Sequence, residues 1–140
     1  MWHTLDHTAD VALEVEAATW PELCEEAARA FGEWTSGGHV PVEAHETERA
    51  VDVRGAERVE TWVGLWRAFH RLWTVEGFLA RHARVSAGED GRTITARVGC
   101  VSVGALDPAH CADVKAVTWH AAAVERRADG TWVGRIVLDL

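Results

Sequence analysis

Residues 4–11 read TLDHTADV, and they place two aspartates, Asp6 and Asp10, four apart, with His7 and Thr8 between them and Thr4 just ahead. Carboxylates at this spacing, just ahead of a strand-like segment, suit oxygen coordination of a hard cation such as calcium or magnesium better than zinc. Two carboxylates are not a complete set, because calcium takes roughly six to eight oxygens. The opposite end of the sequence offers more: IVLDL puts Asp139 beside the terminal carboxylate of Leu140. If the last strand lies next to the first, Asp139 and Leu140 approach Asp10, and a bound cation is the natural counter-charge for the resulting negative cluster. The competing reading makes Asp6 a loop cap, has Thr8 satisfy turn groups and leaves Asp139 solvated. On residue types alone, that second reading carries more weight.

The other reactive residues point less clearly. Lys115, Thr118 and His120 fall on one strand-like run, VKAVTWHAAAV. Alternation there sends Lys115 and His120 to opposite faces and Thr118 and His120 to the same one. His120 is then expected to partner Thr118 or the DHTAD segment. His110, in DPAHCAD, reads as a solvated loop histidine. Arg67, Arg71, Arg81, His82 and Arg84 suggest a basic cluster near the end of the second helix, able to touch RNA or an acidic partner but more simply a solvated face. No nucleophile elbow, P-loop or HExxH is present, so no catalytic residue is assigned.

These residues must be positioned by an alternation of strands and helices. VALEVEA (Val11 to Ala17) alternates with period two and predicts a half-buried strand. Thr19 and Glu22 fit a capping box, with Pro21 in the first turn of a helix over Trp20 to Trp34 that leaves Glu25 and Glu26 on the wet side. Val42 to Arg54 predicts an exposed, polar strand. Val59, Trp62, Val63, Trp66, Phe69 and Trp73 form one stripe on a second helix that stops at Gly77. Strands are predicted at Leu79 to Ala87, Arg92 to Val103, Val114 to Val124 and Thr131 to Leu140, with turns at GEDG and RADG and a loop over Gly104 to Asp113. The order β-α-β-α-β-β-β-β predicts an α+β fold in one domain spanning residues 1–140, with two helices packed on one face of a mixed, mostly antiparallel sheet.

Bulk properties narrow the function. The chain has 140 residues and a formal net charge of −8, the wrong sign for a protein whose main activity is to grip nucleic-acid phosphates. No apolar run reaches the length of a membrane span, and the N-terminus lacks the pattern of a signal peptide, so a cytoplasmic location is expected. Three cysteines without a CxxC argue against a disulfide framework, and Cys24 and Cys100 read as small core residues. The eight tryptophans fall mostly at core-like spacings and are expected to fill the interior.

The two ends together, DHTADVALEV…TWPELCEEAARAF and VKAVTWH…WVGRIVLDL, resemble the archease family. That family has an hDHTADvg start, a leeLfeeAa helix, a KAvTyH strand and a vvlDv end. The corresponding segments here are Asp6 to Val11, Pro21 to Phe31, Lys115 to His120 and Ile136 to Leu140. Residues 35 to 56 and 79 to 97 carry little of the family signal, and Trp119 stands where many members have tyrosine, which removes a hydroxyl.

The resemblance implies an accessory, non-catalytic protein of the GTP-dependent RtcB-type RNA ligase that acts in tRNA splicing and RNA repair, promoting ligase guanylylation and multiple turnover. It implies a divalent cation, calcium first with magnesium or manganese as alternatives, held by Asp10, Asp139 and the main-chain oxygens of Leu140. Asp6, His7, Lys115 and His120 would take supporting places around that set. A chaperone for a tRNA methyltransferase and a small metal-dependent hydrolase using Asp10, Asp139 and His7 are the alternative functions.

Overall fold

The computed structural model describes residues 1–5 and 10–140. Among them the chain forms, in order, strands β1 (Trp2–Leu5) and β2 (Asp10–Ala17), helix α1 (Trp20–Ser36), β3 (Glu46–Arg54), helix α2 (Arg58–Arg71), β4 (Phe78–Ala87), β5 (Thr93–Ser102), β6 (Ala116–Arg126) and β7 (Trp132–Asp139). The predicted α+β class holds. The strands divide into two sheets rather than one, with orders β1-β2-β7-β6 and β3-β5-β4, and every pairing between described strands is antiparallel.

Helix α1 begins where the sequence places it. Thr19 is extended, and its hydroxyl oxygen accepts the Glu22 N–H at 3.2 Å, satisfying one of the unpaired donors of the first turn. The helix continues two residues past Trp34 to Ser36, because Ser36 turns its hydroxyl back onto the Gly32 carbonyl at 2.8 Å. Glu25 is not a solvated residue: its carboxylate accepts the Val85 N–H of β4 at 3.0 Å. Helix α2 ends in a wider, π-type turn over Leu72–Glu76 before Gly77. Strand β1 was not predicted from its sequence, since four residues ending in a polar run carry too little periodicity. It pairs with β2, Trp2 opposite Val15 and Leu5 opposite Ala12, and the Trp2 indole N–H donates to the Glu33 carboxylate of α1 at 2.9 Å.

Each helix touches strands of both sheets, so one continuous core lies between them. Trp62, Trp66, Phe31 and Phe69 are fully buried in it, with Trp62 and Trp66 in edge-to-face contact at 5.6 Å. Two glycines make the close approaches possible. At Gly134 of β7 the Trp62 indole occupies the place of a side chain, and its N–H donates to the Arg135 carbonyl at 2.9 Å. At Gly32 of α1 a Cβ would collide with the Ala80 carbonyl of β4. Cys24 and Cys100 are buried in the core as predicted. Desolvation pushes both thiols up, Cys100 to about 11, and Cys24 further still.

Two outcomes follow. Gly32→Ala, which in an exposed helix would stabilise by about 1 kcal/mol, is expected here to destabilise by roughly 1–3 kcal/mol in chemical denaturation, because backbone and not a flexible side chain is in the way. A thiol reagent at pH 8 is expected to modify Cys111 alone in the native protein, and all three cysteines once it is unfolded.

Candidate functional site

The β2–β7 pairing decides where the acidic residues lie. Its register sets Asp10 directly opposite Asp139, and the pairs Ala12–Val137, Glu14–Arg135 and Glu16–Val133 continue on the same face. Directly opposed residues of an antiparallel pair share a face, with Cα atoms about 4.5–5.5 Å apart. The other face, carrying Leu13, Val15, Gly134, Ile136 and Leu138, belongs to the core beneath the helices. Asp10 and Asp139 therefore stand together at one end of the helix-free face, as the joined-ends expectation requires. The Asp139 carbonyl accepts the Lys115 N–H at 2.8 Å, which ties the KAVTWH segment to the same spot, with Ala116 of β6 opposite Asp139.

The middle of this face is pinned by charge. Glu14 is only 6% exposed, and its carboxylate accepts from Arg135 at 2.7 Å and lies 3.3 Å from His3 and 3.9 Å from Arg127. Arg127 also reaches Glu16 at 3.0 Å. The hydrogen bond to Glu14, and then the Glu14 charge, hold the Arg135 guanidinium above its ordinary pKa. This network links β1, β2 and β7 and the turn after β6 on the same face as the aspartate pair.

The remaining predicted residues fall into place unevenly. Leu140 follows Asp139 and is exposed. Asp6 and His7 lie outside the described residues. Lys115 is exposed just ahead of β6. His120 is exposed too, but it does not partner Thr118, whose hydroxyl is buried without a hydrogen-bond partner among the described residues; the DHTAD segment, its other expected partner, lies largely outside them. The reason is a register slip. Thr118 pairs with Val137 and Ala123 with Arg135, so β6 carries extra residues against β7, and the alternation used to place His120 fails there.

The basic cluster is not gathered in the structure. Arg67 of α2 donates to the Val117 carbonyl at 3.5 Å, beside β6, while His82 of β4 pairs with Glu46 at 3.1 Å on the other sheet. His110 is exposed, as expected for the loop, but stacks on His39 with ring centroids 4.0 Å apart, a contact that no spacing in the sequence signals.

Among the described residues, no group of three or more His, Cys, Asp or Glu side chains is arranged to hold a metal. The donors that do converge, Asp10 and Asp139, are all oxygen, and this fits a hard cation if the Leu140 main-chain oxygens complete part of the shell.

The sequence matches the Archease protein family over residues 2–140. The chain belongs to the archease family. It is 32% identical over 146 residues to Protein archease of Methanopyrus kandleri, with 99% of each chain covered. The solution structure of Protein 1598 of Methanobacterium thermoautotrophicum superposes with a TM-score of 0.69 at 25% identity, covering 99% of this chain and 98% of that one. The crystal structure of an archease and possible chaperone from Thermotoga maritima superposes with a TM-score of 0.64 at 20% identity, covering 97% and 94%. Among the described residues no helix is long and apolar enough to cross a membrane.

Replacing Glu14 by Gln is expected to cost about 1–2 kcal/mol in urea denaturation, since a nearly buried, charge-assisted bond is lost to partners that themselves remain partly in water. The same measurement on Glu48→Gln, whose partner Arg97 lies at 3.5 Å with both side chains mostly exposed, should move stability by less than about 0.5 kcal/mol.

Proposed function

We propose that this archease is an accessory activator of a GTP-dependent RtcB-type RNA ligase, acting in tRNA splicing and RNA repair by promoting ligase guanylylation and multiple turnover. The observation that carries this reading is the register of β2 and β7, which places Asp10 opposite Asp139 at the end of the ladder, both half-buried. Family membership is the second support. In this reading the protein performs no chemistry of its own. Asp10, Asp139 and the Leu140 main-chain oxygens hold a divalent cation, calcium first and magnesium or manganese as alternatives. Lys115 sits next to Asp139 and brings a positive charge to the rim, where it offsets the carboxylates and meets anionic groups on the partner. His120 lies at the rim as well, and Asp6 and His7, from the DHTAD motif, orient the set.

An edge of this kind suits action on another enzyme's active site. It is on a helix-free face, and its carboxylates are carried by backbone fixed in a ladder, so a cation held there is presented outward at a defined position. A cytoplasmic protein with a free Cys111 thiol is consistent with that role. A second reading, a chaperone for a tRNA methyltransferase, is favoured by the description of the Thermotoga maritima relative as a possible chaperone. It differs in partner and not in chemistry.

The test is ligase guanylylation with labelled GTP and manganese under multiple turnover, comparing the natural protein with Asp139→Asn. Stimulation is expected from the former only. Equal stimulation by both would remove the acidic edge from the mechanism, and none from either would shift the assignment to the methyltransferase, checked by pull-down. The protein without ligase is expected to leave phosphoesters intact, and turnover abolished by Asp10→Asn would instead identify a hydrolase. In a thermal melt, calcium at about 100 times its dissociation constant should add roughly 2.7 kcal/mol of stability to the natural protein and little to Asp139→Asn.

A further inference from the structure

Trp119 departs from the other tryptophans in the core. It is 47% exposed, whereas Trp62 and Trp66 are fully buried. It stands in the segment of β6 that bulges between Thr118 and Ala123, and β6 is the edge of its sheet, so the bulge faces outward. The bulge is held under strain: Ala121 has φ of 58°, the one non-glycine residue with positive φ among the described residues. Such a conformation costs about 1–3 kcal/mol at an alanine and persists where surrounding structure enforces it, often at functional sites. Arg67 of α2, itself exposed, braces the indole from below, its guanidinium 5.8 Å from the ring centroid, and donates to the Val117 carbonyl. Arg71, one turn further along α2, and Lys115, just ahead of β6, are exposed as well, so Arg67 has further cations close to it in the sequence. Thr118, where the bulge starts, pairs with Val137, two residues from Asp139.

We propose that the Trp119–Ala122 bulge, braced by Arg67, is the anchor by which this archease docks onto its ligase, seating the indole in an apolar pocket rimmed by carboxylates. The inference rests on the ligase reading above. A braced, exposed tryptophan beside arginines has the composition of residues that dominate protein–protein affinity. RNA is the poorer occupant. One braced aromatic cannot stack successive bases, and a chain of net charge −8 is poorly suited to a polyanion. The docked bulge sets the acidic edge at a fixed distance from the ligase, so anchor and cation site act on the same enzyme from adjacent strands.

The experiment measures binding of the ligase to the natural protein, Trp119→Ala, Trp119→Phe and Ala121→Gly, with calcium-dependent melting as a parallel readout. Trp119→Ala should weaken binding about tenfold or more and leave the calcium shift unchanged. Trp119→Phe should recover most of the affinity. Ala121→Gly should melt at the same or higher temperature and yet bind more weakly, because relieving strain loosens the anchor. Full affinity in Trp119→Ala, with stimulation of the ligase intact, overturns the anchor and leaves the functional reading standing. Absence of ligase binding or stimulation by the natural protein overturns both. Unchanged ligase binding together with lost binding of a single-stranded RNA oligonucleotide overturns the anchor in favour of an RNA-stacking site.

Discussion

The pairing of β2 with β7 is the constraint on which the molecule depends. On its inner face, Gly134 receives the Trp62 indole, whose N–H donates to the Arg135 carbonyl, so one of the largest core side chains of α2 rests directly on this ladder. On its outer face, the same eight-residue register brings Glu14 under Arg135 and Asp10 beside Asp139. A slip by one residue would turn Leu13, Ile136 and Leu138 to water and carry the carboxylates inward, so burial of the core fixes the acidic edge. The edge is thus a by-product of hydrophobic register, made precise by residues that never touch a ligand.

That dependence explains which parts of the structure the sequence could announce. Helix α1 was legible because Thr19 and Pro21 mark its start and an apolar stripe marks its face. The Asp10–Asp139 meeting was only a conditional on residue types, since no local pattern says that two distant strands pair, and the family resemblance gave it weight. The helix-free face needed tertiary information: Glu14 alternates like any solvated strand glutamate, and its burial comes from Arg135, 121 residues away. Strand β1 was too short to show a period. The register slip in β6 defeated alternation, and His120 went with it, because extra residues in a strand change faces without changing composition. The division into two sheets was equally hidden, as a hairpin such as β4–β5 reads the same whether or not it joins another sheet.

The outer face separates two kinds of charge. Glu14 and Glu16 neutralise Arg127 and Arg135, and with His3 they tie strands together, so they serve the fold. Asp10, Asp139 and Lys115 gather at the end of the ladder, where the backbone hydrogen bond from the Lys115 N–H to the Asp139 carbonyl ties the start of β6 to β7. The ion pairs that hold the strands together are thus set apart from the aspartate pair.

The ladder also has a consequence in time. Its two strands lie near opposite ends of the chain, so a ribosome delivers β2 long before β7 exists to meet it. Until then Leu13 and Val15 have no β7 neighbour, and the acidic edge is half made. Closing so wide a loop is slow and comes late. A nascent chain therefore acquires its core and its acidic edge in the same step, and any partner that reads the edge reads, in effect, a certificate of completed folding.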